Sequence, residues 1–247
     1  MTARDKQAPC FLTGAWQHLV MLNYPVAPAV LQPYLPAGTE IDFFAGQTYL
    51  SVVGFLFHDT RVLGLRVPFH RNFEEVNLRF YVRARSADGW RRGVVFVKEI
   101  VPRRLIAWVA RVLYNENYVA IPMRHAVVLP AAGTGSVRYQ WRHGGRWDSV
   151  SAVIEGEPKP LAPGSEEEFI TEHYWGDVRQ RDGSTVEYQV EHPPWRVWTA
   201  HSAQLDCDVA GLYGGEFASS LQGSPASAFV AEGSPIMVRR GQLLATT

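Results

Sequence analysis

The sequence predicts a mainly β protein of the α+β class: many antiparallel strands with two or three inserted helices. Three observations carry that prediction. β-Branched and aromatic residues alternate with polar ones at period two, as from Thr48 to His58 and from Glu74 to Arg85. Helical periodicity is confined to a few isolated segments. Strands and helices do not follow one another in the rhythm that a parallel βαβ sheet requires.

The first helix candidate is the proline-rich stretch from Pro25 to Pro36, tolerant of proline at its start and stopped by Pro36-Ala37-Gly38. From Phe69 to Arg83 charged and apolar residues alternate strictly. A strand there places Glu75, Asn77, Arg79 and Tyr81 on one face and Val76, Leu78, Phe80, Val82 and Ala84 on the other. Gly89 punctuates a hairpin into a strand from Gly93 to Ile100. Arg103 to Tyr114 is the clearest helix, with Leu105, Trp108, Val109 and Val112 in an apolar stripe and Arg104 and Arg111 on the other side. Short strands follow from Val137 to Ile154, with hairpin turns at Gly133-Thr134-Gly135 and Gly144-Gly145.

The prolines and glycines between Glu155 and Gly164 exclude regular structure and suit a crossing over the surface. Beyond them Ser165 caps a third helix with acids in its first turn, running toward Tyr174. Strands resume at Val186. The whole of residues 1–247 reads as a single domain with a surface-crossing segment at 155–164.

Of the 247 residues 47% are hydrophobic and 12% aromatic, enough for one large core. Twenty-four basic and 24 acidic side chains balance, so no global field draws nucleic acid or an anionic membrane surface. Cys10 and Cys207 do not make a disulfide framework. The start lacks the apolar core of a secretory signal, which gives a cytoplasmic expectation. The lysines are Lys6, Lys98 and Lys159, so lysine chemistry has only these candidates. The eight histidines never occur as HxH or HExxH, and no metal or cofactor is expected. No GxSxG, GxGxxG or GxxxxGK[ST] occurs, which argues against the common hydrolase, dinucleotide and P-loop classes.

The strand from Phe73 poses the main functional question. Its polar face suits water, as on any one-sided sheet. It also suits a cavity, since Asn is depleted in strands and Phe73 and Tyr81 put aromatic bulk on that face. An enclosed Arg79 would have to be satisfied by Glu75 or by a ligand, and its fork geometry matches a carboxylate. Glu172, in the cluster Glu172-His173-Tyr174, is a further candidate for a pocket wall.

Val26-Ala-Pro-Ala-Val-Leu-Gln-Pro-Tyr-Leu-Pro36, Phe73-Glu-Glu-Val-Asn-Leu-Arg-Phe-Tyr-Val82, Ala110-Arg-Val-Leu-Tyr114 and Phe169-Ile-Thr-Glu-His-Tyr174 resemble the YqjF-like family, a domain of unknown function in the acetoacetate-decarboxylase-like superfamily. The resemblance implies a closed, cone-like antiparallel β-barrel with a central cavity and a few peripheral helices, and so favours the cavity reading. In acetoacetate decarboxylases a lysine after a Tyr/Phe-Pro motif forms a Schiff base with the substrate. The similar segment here, Tyr118-Val-Ala-Ile-Pro-Met-Arg-His125, has Met123 and Arg124 in place of the tandem lysines. Gln17 and His18 stand where the decarboxylases carry a first-strand arginine. The resemblance thus adds His18, Tyr118 and Met123 to the ligand-binding candidates and implies that the imine mechanism is absent.

The resulting expectation is a small-molecule binding or lyase-like barrel for an anionic carbonyl or carboxylate ligand. Glu75 and Arg79 are the catalytic candidates; Asn77, Tyr81, His18, Tyr118, Met123 and Glu172 are ligand-binding. The reaction class is left open. The alternative is a non-catalytic module with a polar structural network inside, whose partner is another protein or a second copy of itself through Tyr174-Trp175 and Trp195 to Trp198.

Overall fold

A computed structural model of the chain describes residues 8–86, 89–130 and 133–244. The strands are β1 (Cys10–Val26), β2 (Thr39–Ile41), β3 (Thr48–Val62), β4 (Phe73–Ser86), β5 (Gly89–Val101), β6 (Tyr118–Ala120), β7 (Met123–Val128), β8 (Thr134–His143), β9 (Arg146–Glu155), β10 (Lys159–Pro160), β11 (Trp175–Arg179), β12 (Thr185–Glu191), β13 (Arg196–Asp206), β14 (Ser227–Arg239) and β15 (Gln242–Leu243). The α-helices are α1 (Pro28–Leu31), α2 (Arg104–Tyr114), α3 (Glu166–Thr171) and α4 (Val209–Leu212).

The hydrogen-bonded path β12-β11-β5-β4-β3-β1-β14 closes on itself, because Val190 and Glu191 of β12 pair with Val238 and Met237 of β14. From β14 a second arm, β13-β9-β8-β7, leaves the ring. The mainly β class predicted by the sequence is the one observed. One detail departs from it: β5 pairs in parallel with both β11 and β6, so the sheet is not wholly antiparallel.

Strand β4 explains how the layers are held. Val76, Leu78, Phe80 and Val82 point to a core shared with Val137, Tyr139 and Trp141 of β8 and Val150, Ala152 and Ile154 of β9. Phe73 and Tyr81 point the other way, into a core within the ring shared with Met21, Val53, Phe55 and Trp195. Glu75, Asn77 and Arg79 lie on that second side and are buried too. A strand that alternates polar and apolar residues here has no wet face. Each large apolar side chain removed from water contributes roughly 1.5–3 kcal/mol, which works against the cost of tucking the polar face inside.

Several local expectations are modified. The proline-rich segment is helical only at α1, with Pro28 at its first position and a single 3-10 turn after it. Ser165 caps α3 by accepting from Glu168 N at 3.1 Å. Within the crossing segment, β10 pairs with Val197 and Arg196, so the prolines leave room for a two-residue strand. Among the described side chains of α2 the one fully buried is Ala107, whereas Leu105, Trp108 and Val112 are 46%, 57% and 59% exposed. The small residue lets the helix sit close to its support, so the predicted stripe straddles the rim instead of filling the core. Trp195 and Trp198 are buried and donate to Ser234 Oγ and Gly156 O, so they are not interface aromatics.

Candidate functional site

A cavity of about 280 Å³ lies against the polar face of β4. Its walls are mostly apolar, including Trp16, Phe55, Phe57, Phe73, Trp195 and Val109, and its polar lining includes His70, His173 and His192 as well as a cluster of acids, amide, guanidinium and phenols. Glu75, Asn77 and Arg79 enter from β4, Glu99 from β5, Tyr118 from β6, Glu116 from the turn before it, and Tyr188 from β12.

A register shift builds this cluster. Along the β4–β5 pair Leu78 faces Lys98 but Arg79 faces Phe96, which leaves Val97 as the extra residue of a bulge. Past the bulge the alternation changes phase: Val94 and Phe96 face the ring interior, and so does Glu99. Lys98 is turned out of the cavity, and its amine donates to Leu212 O of α4. Without the bulge, period two would have grouped Lys98 with Phe96 and sent Glu99 to the other side. Gly176 completes the arrangement, because a Cβ there would collide with the Tyr188 ring.

Glu75 Oε1 accepts from Asn77 Nδ2 and Oε2 accepts from the Tyr118 hydroxyl, both at 3.1 Å. The Tyr188 hydroxyl donates to Glu116 Oε1 at 3.0 Å. Burial pushes the Glu75 carboxyl up to about 7, against the opposing pull of Asn77, Tyr118 and the Arg79 charge. Glu116 is pushed up to about 8 by burial, with the Glu75 and Asp177 charges adding to it. Glu99 is raised well above the carboxylate range by burial and then by the charges of Glu116 and Glu75. Three carboxyl groups this close in a poorly solvated wall hold protons that they would lose in water.

Polar capacity is left over. Asn77 Oδ1, Arg79 Nε and Glu99 Oε2 are buried without a protein partner, while Arg79 Nη2 donates to Ile170 O at 3.3 Å. Behind Arg79, His173 Nε2 lies 3.3 Å from Asp42 Oδ2, and burial lowers the imidazole to about 4, so it is neutral at pH 7. Among the described residues no three His, Cys, Asp or Glu side chains are disposed to hold a metal ion.

Of the residues singled out from the sequence, Glu75, Asn77, Arg79 and Tyr118 meet at the cavity; Tyr81, His18, Met123 and Glu172 do not line it. Tyr81 sits one alternation beyond Arg79, donates to Ser51 Oγ at 2.7 Å and packs on His173 and Phe169, closing the core at that end. His18 is held at a positive φ of 54° at the β1–β3 bulge, with its carbonyl accepting from Tyr139 on the opposite side of the ring. Met123 begins β7 and packs against the core shared with β8 and β9. Glu172 ends α3 and accepts from Tyr174. The residues the sequence reading missed are Glu99, Glu116 and Tyr188. An acid inside the apolar run Gly93 to Ile100 was the one available signal.

Among the described residues no lysine lines the cavity, since Lys98 points away and Lys159 lies in β10; Lys6 is outside them. No helix among the described residues is long and apolar enough to cross a membrane.

A closed β ring of this topology around a polar-footed cavity defines the acetoacetate-decarboxylase-like fold class. Solved structures bear that out. The enduracididine biosynthesis enzyme MppR complexed with pyruvate superposes with a TM-score of 0.68 at 14% identity, covering 99% of this chain and 93% of that one. Acetoacetate decarboxylase from Legionella pneumophila gives 0.66 at 13% identity, over 99% and 92%. Within the class, the chain belongs to the family DUF2071, described as "Uncharacterized conserved protein (COG2071)", whose model matches residues 13–235. It is 23% identical over 193 residues to the uncharacterized protein YqjF of Bacillus subtilis (strain 168), covering 76% of this chain and 75% of that one.

Proposed function

We propose that the cavity is the binding site for a small carbonyl or carboxylate compound and that the chain acts on it by acid–base chemistry without a lysine imine. The observation that carries this reading is the combination of open volume with incomplete pairing. A purely structural network satisfies its own polar atoms and fills its space, whereas here a cavity of about 280 Å³ is lined by Glu75, Asn77 and Arg79, and Arg79 Nε and Asn77 Oδ1 are buried without protein partners. Pyruvate, named in the MppR complex, is of the size and charge that would fit.

In this reading Arg79 grips the carboxylate. Glu75 moves a proton at the carbon beside the carbonyl, since a carboxyl near 7 serves as base or acid at neutral pH. Tyr118 and Asn77 fix its two oxygens. Methionine at 123 cannot form an imine, and Lys98 is turned away. The test is titration of the native chain with pyruvate and 2-oxobutanoate by calorimetry, repeated on Arg79→Gln and Glu75→Gln. Arg79→Gln should weaken binding by about ten- to a hundred-fold, the worth of a charge-assisted hydrogen bond. Unchanged affinity in both variants would sink the proposal.

A further inference from the structure

Carboxyl groups outnumber guanidinium groups on the cavity wall. Glu75, Glu99 and Glu116 face a single guanidinium, that of Arg79. Each of the three carboxyls is buried, at 3%, 2% and 7% exposure, and Glu99 Oε2 has no protein donor. Burying an acceptor in this state costs free energy that a donor would recover. Opposite ends of one strand face hold the two signs: Glu75 and Arg79 are four residues apart on β4, roughly 13 Å between Cα atoms at about 3.3 Å per residue. Asn77 lies between them on the same face, and the surrounding wall is mostly apolar and aromatic.

We propose that the ligand is bipolar, an acid whose carboxylate lies at Arg79 and whose chain carries a protonated amine to the Glu75–Glu99–Glu116 end. This inference rests on the cavity being a ligand site. An ammonium group has three N–H donors and no acceptor, matching a cluster whose six carboxyl oxygens outnumber the donors that Asn77, Tyr118 and Tyr188 supply. The aromatic side chains at the same wall add attraction for a cation. Binding is also an exchange at the carboxyl end: the alkylammonium enters, a proton held by the carboxyl cluster leaves to solvent, and the charge at that end is unchanged while the ligand carboxylate pairs with Arg79. A plain carboxylate has no group to take that place.

Calorimetry on the full chain at neutral pH tests this, using the ω-amino acids from 4-aminobutanoate to 8-aminooctanoate beside the unsubstituted acids of equal length. Each titration is run in phosphate and in Tris, whose ionisation enthalpies differ. The best amino acid of the series should bind at least about ten-fold more tightly than its matched acid, with a buffer-dependent enthalpy that reports proton release. Glu99→Gln and Glu116→Gln should bring the ratio between matched ligands close to one, circular dichroism confirming that each variant folds. Equal affinity of amino and plain acids throughout the native series, or tighter binding without proton release, overturns the bipolar ligand and leaves the carboxylate site standing. Failure of both series to bind removes the site reading as well.

Discussion

Tyr118 donates its hydroxyl to Glu75 Oε2 at 3.1 Å, joining a strand that follows α2 to one that precedes it by a hairpin. The contact depends on the parallel β5–β6 pairing, which sets Tyr118 beside Glu99, and on the β4–β5 register, which sets Glu99 opposite Asn77. Removing the hydroxyl leaves Glu75 with one donor in a buried place. Tyr118→Phe should therefore move the Glu75 titration upward and destabilise the fold by about 1–3 kcal/mol at neutral pH, measured by urea unfolding. A downward movement of that titration would contradict the assigned hydrogen bond.

Stability should depend on pH through the carboxyl cluster, with a definite sign. Glu75 and Glu116 have folded values of about 7 and about 8, above those of an unfolded chain. Their protons stabilise the fold fully below about 4.3 and that contribution is lost as pH rises through 7 and 8. Glu116→Gln cannot ionise, so its stability relative to the native chain should improve steadily from about pH 5 to pH 9. Chemical unfolding at fixed steps across this range checks it, and the comparison cancels other groups such as His173, whose depressed value acts oppositely. A constant difference would mean that Glu116 is not held protonated.

Gly176 leaves the space that Tyr188 fills on its way to Glu116. Gly176→Ala should cost about 1–3 kcal/mol by overpacking, because the methyl meets a buried ring. A second substitution, Tyr188→Ala, should remove most of the clash, so the double variant should be less destabilised than the sum of the singles. Strict additivity in thermal unfolding would show that the two residues do not meet.

Lys98 should be chemically silent toward oxo acids. Its amine donates to Leu212 O on the side of the sheet away from the cavity. Incubation with pyruvate and borohydride, followed by intact mass and peptide mapping, should give no adduct on Lys98. An adduct there would place the lysine in the cavity and overturn the imine-free reading.

Trp141 carries the largest fully buried side chain, in the layer between the ring and the β7–β9 arm. Trp141→Leu should destabilise by about 3 kcal/mol or more through lost packing, while leaving the carboxyl cluster's relative pH response intact. A loss of that response would mean that the two cores are coupled.

Much of this protein is determined by its sequence alone. Period-two alternation marks β3, β4 and β5, the serine before three acids marks the start of α3, and the absence of a βαβ rhythm excludes a doubly wound sheet. Alternation also groups Glu75, Asn77, Arg79 and Tyr81 on one face, because side chains of a strand must alternate. It does not say what covers that face. Closure of β12 onto β14 decided that, turning a face that reads as wet into the wall of a cavity. The composition of the cavity was also beyond local reading. One extra residue at Val97 shifts the phase of β5, brings Glu99 inward and turns Lys98 out, and a parallel pairing adds Tyr118 beside it. Local preferences fix which residues alternate; register and ring closure are set by contacts between segments far apart in the chain, and those fix which chemistry meets.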